Sequence, residues 1–262
     1  MLRDLLQASG WPKSLQMFLG IAGENWLRYA LVASISWLLA YVIFKKRWWH
    51  RKIIQKAPTG ADVRREMKWS VLTAVIYGLV GVVTILVGQT WGWQMYRRID
   101  SHGWAWFFAS IGIAIVVHDT WFYWTHRLMH HRRLFKLFHR VHRESTNPTP
   151  WAAYCFSPLE AAAQACIFPL LAFTVPMHPL AFFAFMIWQI VFNVIGHTGF
   201  EYFPKWMMRS WLGKILNTPT NHVQHHEKMR GNYGLYFNVW DRLMGTNHAD
   251  YERRFHEVTH RS

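Results

Sequence analysis

Residues 69–88 read WSVLTAVIYGLVGVVTILVG, twenty consecutive residues without a charge. A helix of that length is about 30 Å long, the thickness of a bilayer's hydrocarbon core. Backbone polar groups in lipid must be satisfied within the segment, so such a run is read as a membrane-spanning helix. Three further stretches follow the same logic. Residues 26–44 carry only Arg28, at their start, and end in Lys45, Lys46, Arg47, Trp48 and Trp49, a charged and aromatic interface belt. A third run begins at Trp104, is purely apolar to Val117, then meets His118 and Asp119 and continues as TWFYWTHRLMH. The fourth, 161–195, is interrupted by Pro176 and Pro179 and reads as a helical hairpin of two shorter spans. The N-terminus lacks a cleavable signal pattern and reads as a short amphipathic helix through Leu2, Leu5 and Leu6. The expected fold is all-α: a polytopic membrane protein with four or five transmembrane or re-entrant helices and a cytoplasmic helical cap.

The net charge of +15 has two common causes, nucleic acid or anionic lipid. The cations lie beside the apolar runs rather than forming an aromatic-interleaved surface, which favours lipid headgroups and speaks against nucleic acid. Nine Lys and Arg fall in 45–68, six in 126–143 and nine from 198 to the end. The other side receives only Arg3, Lys13, Arg97 and Arg98. The positive-inside rule then puts the N-terminus outside and the C-terminal tail in the cytoplasm. The two cysteines, Cys155 and Cys166, sit in apolar sequence and suggest neither a disulfide scaffold nor a cysteine-based zinc site.

Histidine is the unusual residue, 16 of 262, more than Asp and Glu together. His126 and His130 share one helical face at the end of the third span. His139 and His142 follow, His197 closes the apolar hairpin four residues after Asn193, and His222, His225 and His226 form an H-x-x-H-H cluster. All eight lie on the cytoplasmic side of the expected topology, so they can converge without any charge crossing the bilayer. Neutral imidazole binds Fe, Zn, Cu and Ni. Eight are too many for one ion with an open position and suit two ions with four ligands each. No H-E-x-x-H zinc protease signature is present. Asp119 and Glu160 are candidates to orient ligand imidazoles. His118, deeper in the span, is read either as a hydrogen-bonded core residue or as a further ligand. The scattered His50, His102, His131, His178, His248, His256 and His260 read as surface or packing residues.

Four strings then carry a family likeness: DTWFYWTHRLMH (119–130), FHRVHRESTNPTPWAAYCFSPLEA (138–161), GHTGFE (196–201) and NTPTNHVQHHEKMRGNYGLYFNVWDRLMGT (217–246). In these the chain resembles the fatty acid hydroxylase / sterol desaturase superfamily, in its short bacterial form. The resemblance divides the chain into an N-terminal region, 1–103, a catalytic region, 104–246, and a tail, 247–262. It implies two iron ions, with zinc as a substitute in isolated protein, and O2-dependent hydroxylation or desaturation of a membrane lipid. It also implies residence in a bacterial inner membrane with the catalytic side facing the cytoplasm. The ligand set implied is His126, His130, His139, His142, His197, His222, His225 and His226, with Asn193 and His118 as additional candidates. No G-x-G-x-x-G or haem-attachment motif is present, so electrons are expected from a separate ferredoxin- or cytochrome-type donor. Two positions depart from the family pattern. Arg143 stands where the second box usually has its last His, and Ser157 where relatives often have His before the Pro. A guanidinium cannot ligate, so the expectation is that one metal lacks a ligand or that His118 or Asn193 supplies it. A metal binder or transporter without redox catalysis, and a zinc hydrolase with Asp119 or Glu160 as base, are the rival readings.

Overall fold

The computed structural model describes residues 12–261. Four of its helices are long and apolar enough to cross a membrane. The first is α1, Lys13–Trp37, extended by a π-helical turn, Leu38–Ile43. It begins well before the expected Trp26; most of the expected N-terminal amphipathic helix lies outside the described residues. α2, Gly60–Trp91, is started by a capping box between Thr59 and Asp62. α3 is Gly103–Met129. The hairpin forms α4, Pro158–Ala165, α5, Ile167–Thr174, and α6, Pro179–His197. Prolines occupy the first helical position of α4 and α6, where the missing N–H costs nothing.

The α4–α5 arm is shorter than a standard span, yet its far turn reaches the loop joining α2 and α3. Gln94 N donates to Ala172 O (2.8 Å) and Tyr96 N to Met177 O (3.1 Å). Among the described residues there is no strand, only three isolated bridges. The fold is all-α, and the chain is an integral membrane protein whose exposed Leu27, Leu31, Val83, Phe108 and Val116 suit a lipid surround.

α1 and α2 pack closely because a Cβ at Gly78 would sit 2.7 Å from Ala22 Cβ. The core between the spans is aromatic: Tyr29, Tyr77, Tyr154 and Phe156 cluster with Ile190 and Val194. Tyr29 Oη donates to Trp151 O (2.6 Å) and Thr73 Oγ1 to Tyr154 O (2.8 Å). These bonds fasten the 150–156 segment to α1 and α2. Residues 130–149, which follow α3, and 198–261, which follow α6, form a cap of short helices and loops. Its main pieces are α7, Pro219–Glu227, and α8, Tyr251–Thr259.

Candidate metal centre

The eight expected histidines meet under this cap in two groups of four. His126, His130, His139 and His225 form one; His142, His197, His222 and His226 form the other. Within each group one ring nitrogen per residue lies within 4.8 Å of all the others. Neighbours in sequence go to different groups. His139 and His142 separate, as do His225 and its flanking His222 and His226. The pitch of two short helices therefore holds the two groups side by side, with ring centroids 5.1 Å apart for His139 and His142 and 5.8 Å for His225 and His226.

The imidazoles are aimed by bonds to their Nδ1 atoms. That of His126 donates to Tyr233 O (2.9 Å), that of His225 to Gly231 O (2.8 Å) and that of His197 to Asn193 O (2.7 Å). That of His139 donates to the Glu160 carboxylate (2.6 Å), and His142 Nδ1 lies 3.3 Å from Cys155 O. A proton fixed on Nδ1 leaves the Nε2 lone pair free for a metal. Those Nε2 atoms converge: His126 and His139 at 3.0 Å, His197 and His222 at 2.9 Å, His142 and His197 at 3.4 Å. Two nitrogens each about 2.1 Å from one ion are about 3.0 Å apart at a right angle and about 3.4 Å at a tetrahedral one. His130 Nε2, His225 Nε2 and both ring nitrogens of His226 are buried without a partner. Buried polar atoms are normally satisfied, so these orphans mark where ligation fits. Burial, the largest cause, pushes His139, His142, His222, His225 and His226 well below the usual histidine range, which keeps them neutral and ligand-competent. The donor set thus fits two imidazole-bound metal ions.

The additional candidates stand elsewhere. His118 Nδ1 pairs with Tyr236 Oη (2.7 Å), and its ring packs on Phe185. Asn193 Nδ2 donates to Ala153 O (2.9 Å). Neither belongs to a group of four. Asp119 Oδ1 accepts the backbone N–H of Tyr236 (2.8 Å) and Phe237 (3.1 Å), so it anchors the 233–238 loop instead of orienting a histidine. Glu160 does bond a group member, through Oε1, while its Oε2 is buried without a partner.

Arg143 belongs to neither group; its guanidinium donates to His225 O and Lys228 O, at the C-terminus of α7. A cation there complements the helix dipole and the free carbonyls. Each group has four histidines without position 143. Ser157 caps α4, accepting from Glu160 N (3.2 Å), and donates to Phe138 O (2.5 Å). It ties the helix bearing Glu160 to the segment bearing His139.

Several supporting residues carry no signal of their own in the sequence. Glu201, in the GHTGFE string, accepts from Thr220 N (3.0 Å) and Oγ1 (2.7 Å), anchoring the N-terminus of α7. Asp241 accepts Tyr233 N (2.9 Å) and Gly234 N (2.7 Å). Asn232 adopts a positive φ of 53° and donates to Asn221 O (3.0 Å), turning the chain so that Gly231 O and Tyr233 O face His225 and His126. The signal was the N-Y-G…W-D pattern, which names the residues but not their partners.

A family model described as Fatty acid hydroxylase matches residues 111–246. The chain belongs to the fatty acid hydroxylase family. Among curated proteins it is 28% identical over 222 residues to the Delta(7)-sterol 5(6)-desaturase ERG3B of Gibberella zeae, covering 84% of this chain and 65% of that one. It is 26% identical to the Delta(7)-sterol 5(6)-desaturase erg3C of Aspergillus fumigatus, covering 84% and 72%. To the lathosterol oxidase of Homo sapiens it is 26% identical over 187 residues, covering 71% and 61%. The chain thus spans between 61% and 72% of the length of these three relatives. No solved structure matches it.

Proposed function

We propose that the protein is a membrane-bound oxidoreductase that hydroxylates or desaturates a lipid with O2 at a pair of iron ions. The observation that carries this is the pairing of two buried four-histidine groups at one end of a bundle of apolar spans. The ligands are His126, His130, His139 and His225 for one ion and His142, His197, His222 and His226 for the other. Two irons so held supply the redox chemistry that activates O2 toward a C–H bond. Hydroxylation converts R–H, O2, two electrons and two protons to R–OH and water; desaturation uses the same inputs and yields an alkene and two waters.

The chain's own part is orientation and exclusion of water. Backbone carbonyls of 155, 193, 231 and 233 hold the Nδ1 protons, and Glu160 holds that of His139. Phe122, Phe185 and Val194, on α3 and α6, are buried apolar residues, and the lipid would enter from the side of the spans. Electrons come from a separate ferredoxin- or cytochrome-type donor. The Lys and Arg bias favours the cytoplasmic side for the cap and for the donor's docking surface, with a bacterial inner membrane as the proposed location. Polycyclic lipids of the sterol class are the first substrates to try, given the relatives' names, with fatty acyl lipids next.

Lipid mass spectrometry of a host with and without the gene tests this. The expected change is gain of one oxygen or loss of two hydrogens in one lipid class, abolished by His225→Ala. An unchanged lipid profile with iron-loaded, reductant-supplied protein overturns it.

A further inference from the structure

Arg28 is the one charge of the first apolar run, and the candidate metal centre does not use it. It lines a cavity of about 390 Å³ near the far ends of α1, α2 and α6, away from the histidines. That volume lies within the roughly 300–1,000 Å³ of ligand sites. Tyr77, Ile85, Phe168, Phe182 and Met186 make its apolar wall; Arg28, Asn25, Glu24, Tyr96 and Arg97 make its polar end. Arg28 is 9% exposed and its Nε is buried without a partner. Tyr96 Oη is likewise unpartnered. Arg28 Nη2 is held by Asn25 Oδ1 (2.7 Å), and its guanidinium lies 5.9 Å from the Phe183 ring centroid. Glu24 also pairs with Arg28, but its side chain is 46% exposed and free to swing out. Arg97 lines the same cavity, so two guanidiniums and one displaceable carboxylate share its lining, and a charged group held among apolar spans is usually functional.

We infer that this cavity binds a single-chain lipid with an anionic head, carboxylate or phosphate, at a site separate from the histidine groups. The head bonds Arg28 and Tyr96 in the position Glu24 now occupies, and the tail lies along Phe168, Phe182 and Met186. From Met186 to His197 is eleven residues of α6, about 16 Å, and no residue of either histidine group lines the cavity. The inference therefore stands independently of the proposed reaction.

The test uses the full-length protein in phosphatidylcholine nanodiscs, with oleate, lysophosphatidate and methyl oleate as probes and native mass spectrometry as readout. A charge-assisted bond in a desolvated site predicts that an anionic probe binds about ten- to a hundred-fold more tightly than the ester. Whichever of oleate and lysophosphatidate binds tighter identifies the head. Arg28→Met brings the anions down to the ester's affinity. Ala172→Phe, which fills the cavity from its wall and spares Arg28, weakens all three; it decides the matter if Arg28→Met does not fold. Equal binding of anion and ester to the wild type, or undiminished oleate binding by Ala172→Phe, overturns the inference. None of these readouts depends on iron, so they stay separate from any failure of the metal-centre reading.

Discussion

Arg143 gives the sharpest test of the metal centre, because position 143 is where the family's second box usually places a histidine. In the structure its guanidinium holds the carbonyls of His225 and Lys228. Replacing it with Met strands those two carbonyls, at about 1–3 kcal/mol each. Against this, burial lowers the Arg143 pKa from the usual arginine range to about 10, and at about 1.4 kcal/mol per pH unit removing that cation returns about 3 kcal/mol. Set against the roughly 2–6 kcal/mol of the two carbonyls, this leaves a change centred on a loss of about 1 kcal/mol, or a fall of a few degrees in Tm. Arg143→Met should therefore be slightly less stable yet still bind two metal ions per chain. Arg143→His should also bind two, since each group already has four ligands. The assay is metal content of anaerobically Fe(II)-loaded protein, measured by plasma mass spectrometry beside a thermal melt. A rise from one ion in wild type to two in Arg143→His would refute the argument, because it would show that the arginine had replaced a needed ligand.

Three further outcomes follow from the same contacts. Glu160→Gln, which weakens the hold on His139 Nδ1, should lower metal affinity about 10- to 100-fold without unfolding the chain, read by competition with a chelator. His225→Ala and His226→Ala should each leave one ion per chain, from different groups, and both should abolish lipid oxidation; metal counts and lipid mass spectrometry check this. Lys52 is buried beside Asn147, and burial lowers its pKa from 10.5 to about 8. Over that window the unfolded chain holds the proton that the folded chain has lost, so stability should rise by about 3 kcal/mol from pH 8 to pH 10.5. Lys52→Met should flatten the rise in a denaturant titration.

The spans and the eight histidines were legible in the sequence because each rests on a one-dimensional signal. Uncharged runs of fixed length give the helices, and close spacing gives the boxes. What the sequence left open depends on partners far along the chain. Asp119 looked suited to orient His126 from its place on α3, but its carboxylate is taken by the backbone of residues 236 and 237, over a hundred residues away. Arg143 looked like a lost ligand because box spacing says nothing of which way a side chain leaves a four-residue helix. The start of α1 before Trp26 was also hidden, since Lys13 and Glu24 dilute its apolar character while packing on α2 sustains the helix.

An all-imidazole site has an electrostatic consequence that bears on the buried carboxylates around it. Eight neutral histidines around two divalent ions leave four positive charges uncompensated in a buried site. Asp119, Glu160, Glu201 and Asp241 are each 2% exposed or less. Among the described residues none of them has a Lys or Arg within ion-pair distance, and only Glu160 is paired at all, with His139. Buried carboxylates without cations are costly. Each of these four is one contact from an element that carries ligands: Glu160 on His139, Glu201 on the N-terminus of α7, Asp241 on the amide of Tyr233, Asp119 on the adjoining loop. Burial, the largest cause, raises the pKa of Glu160, Glu201 and Asp241, so two bound ions would draw these carboxylates into the charged form, and the same residues that shape the loops would then balance the charge of the metals.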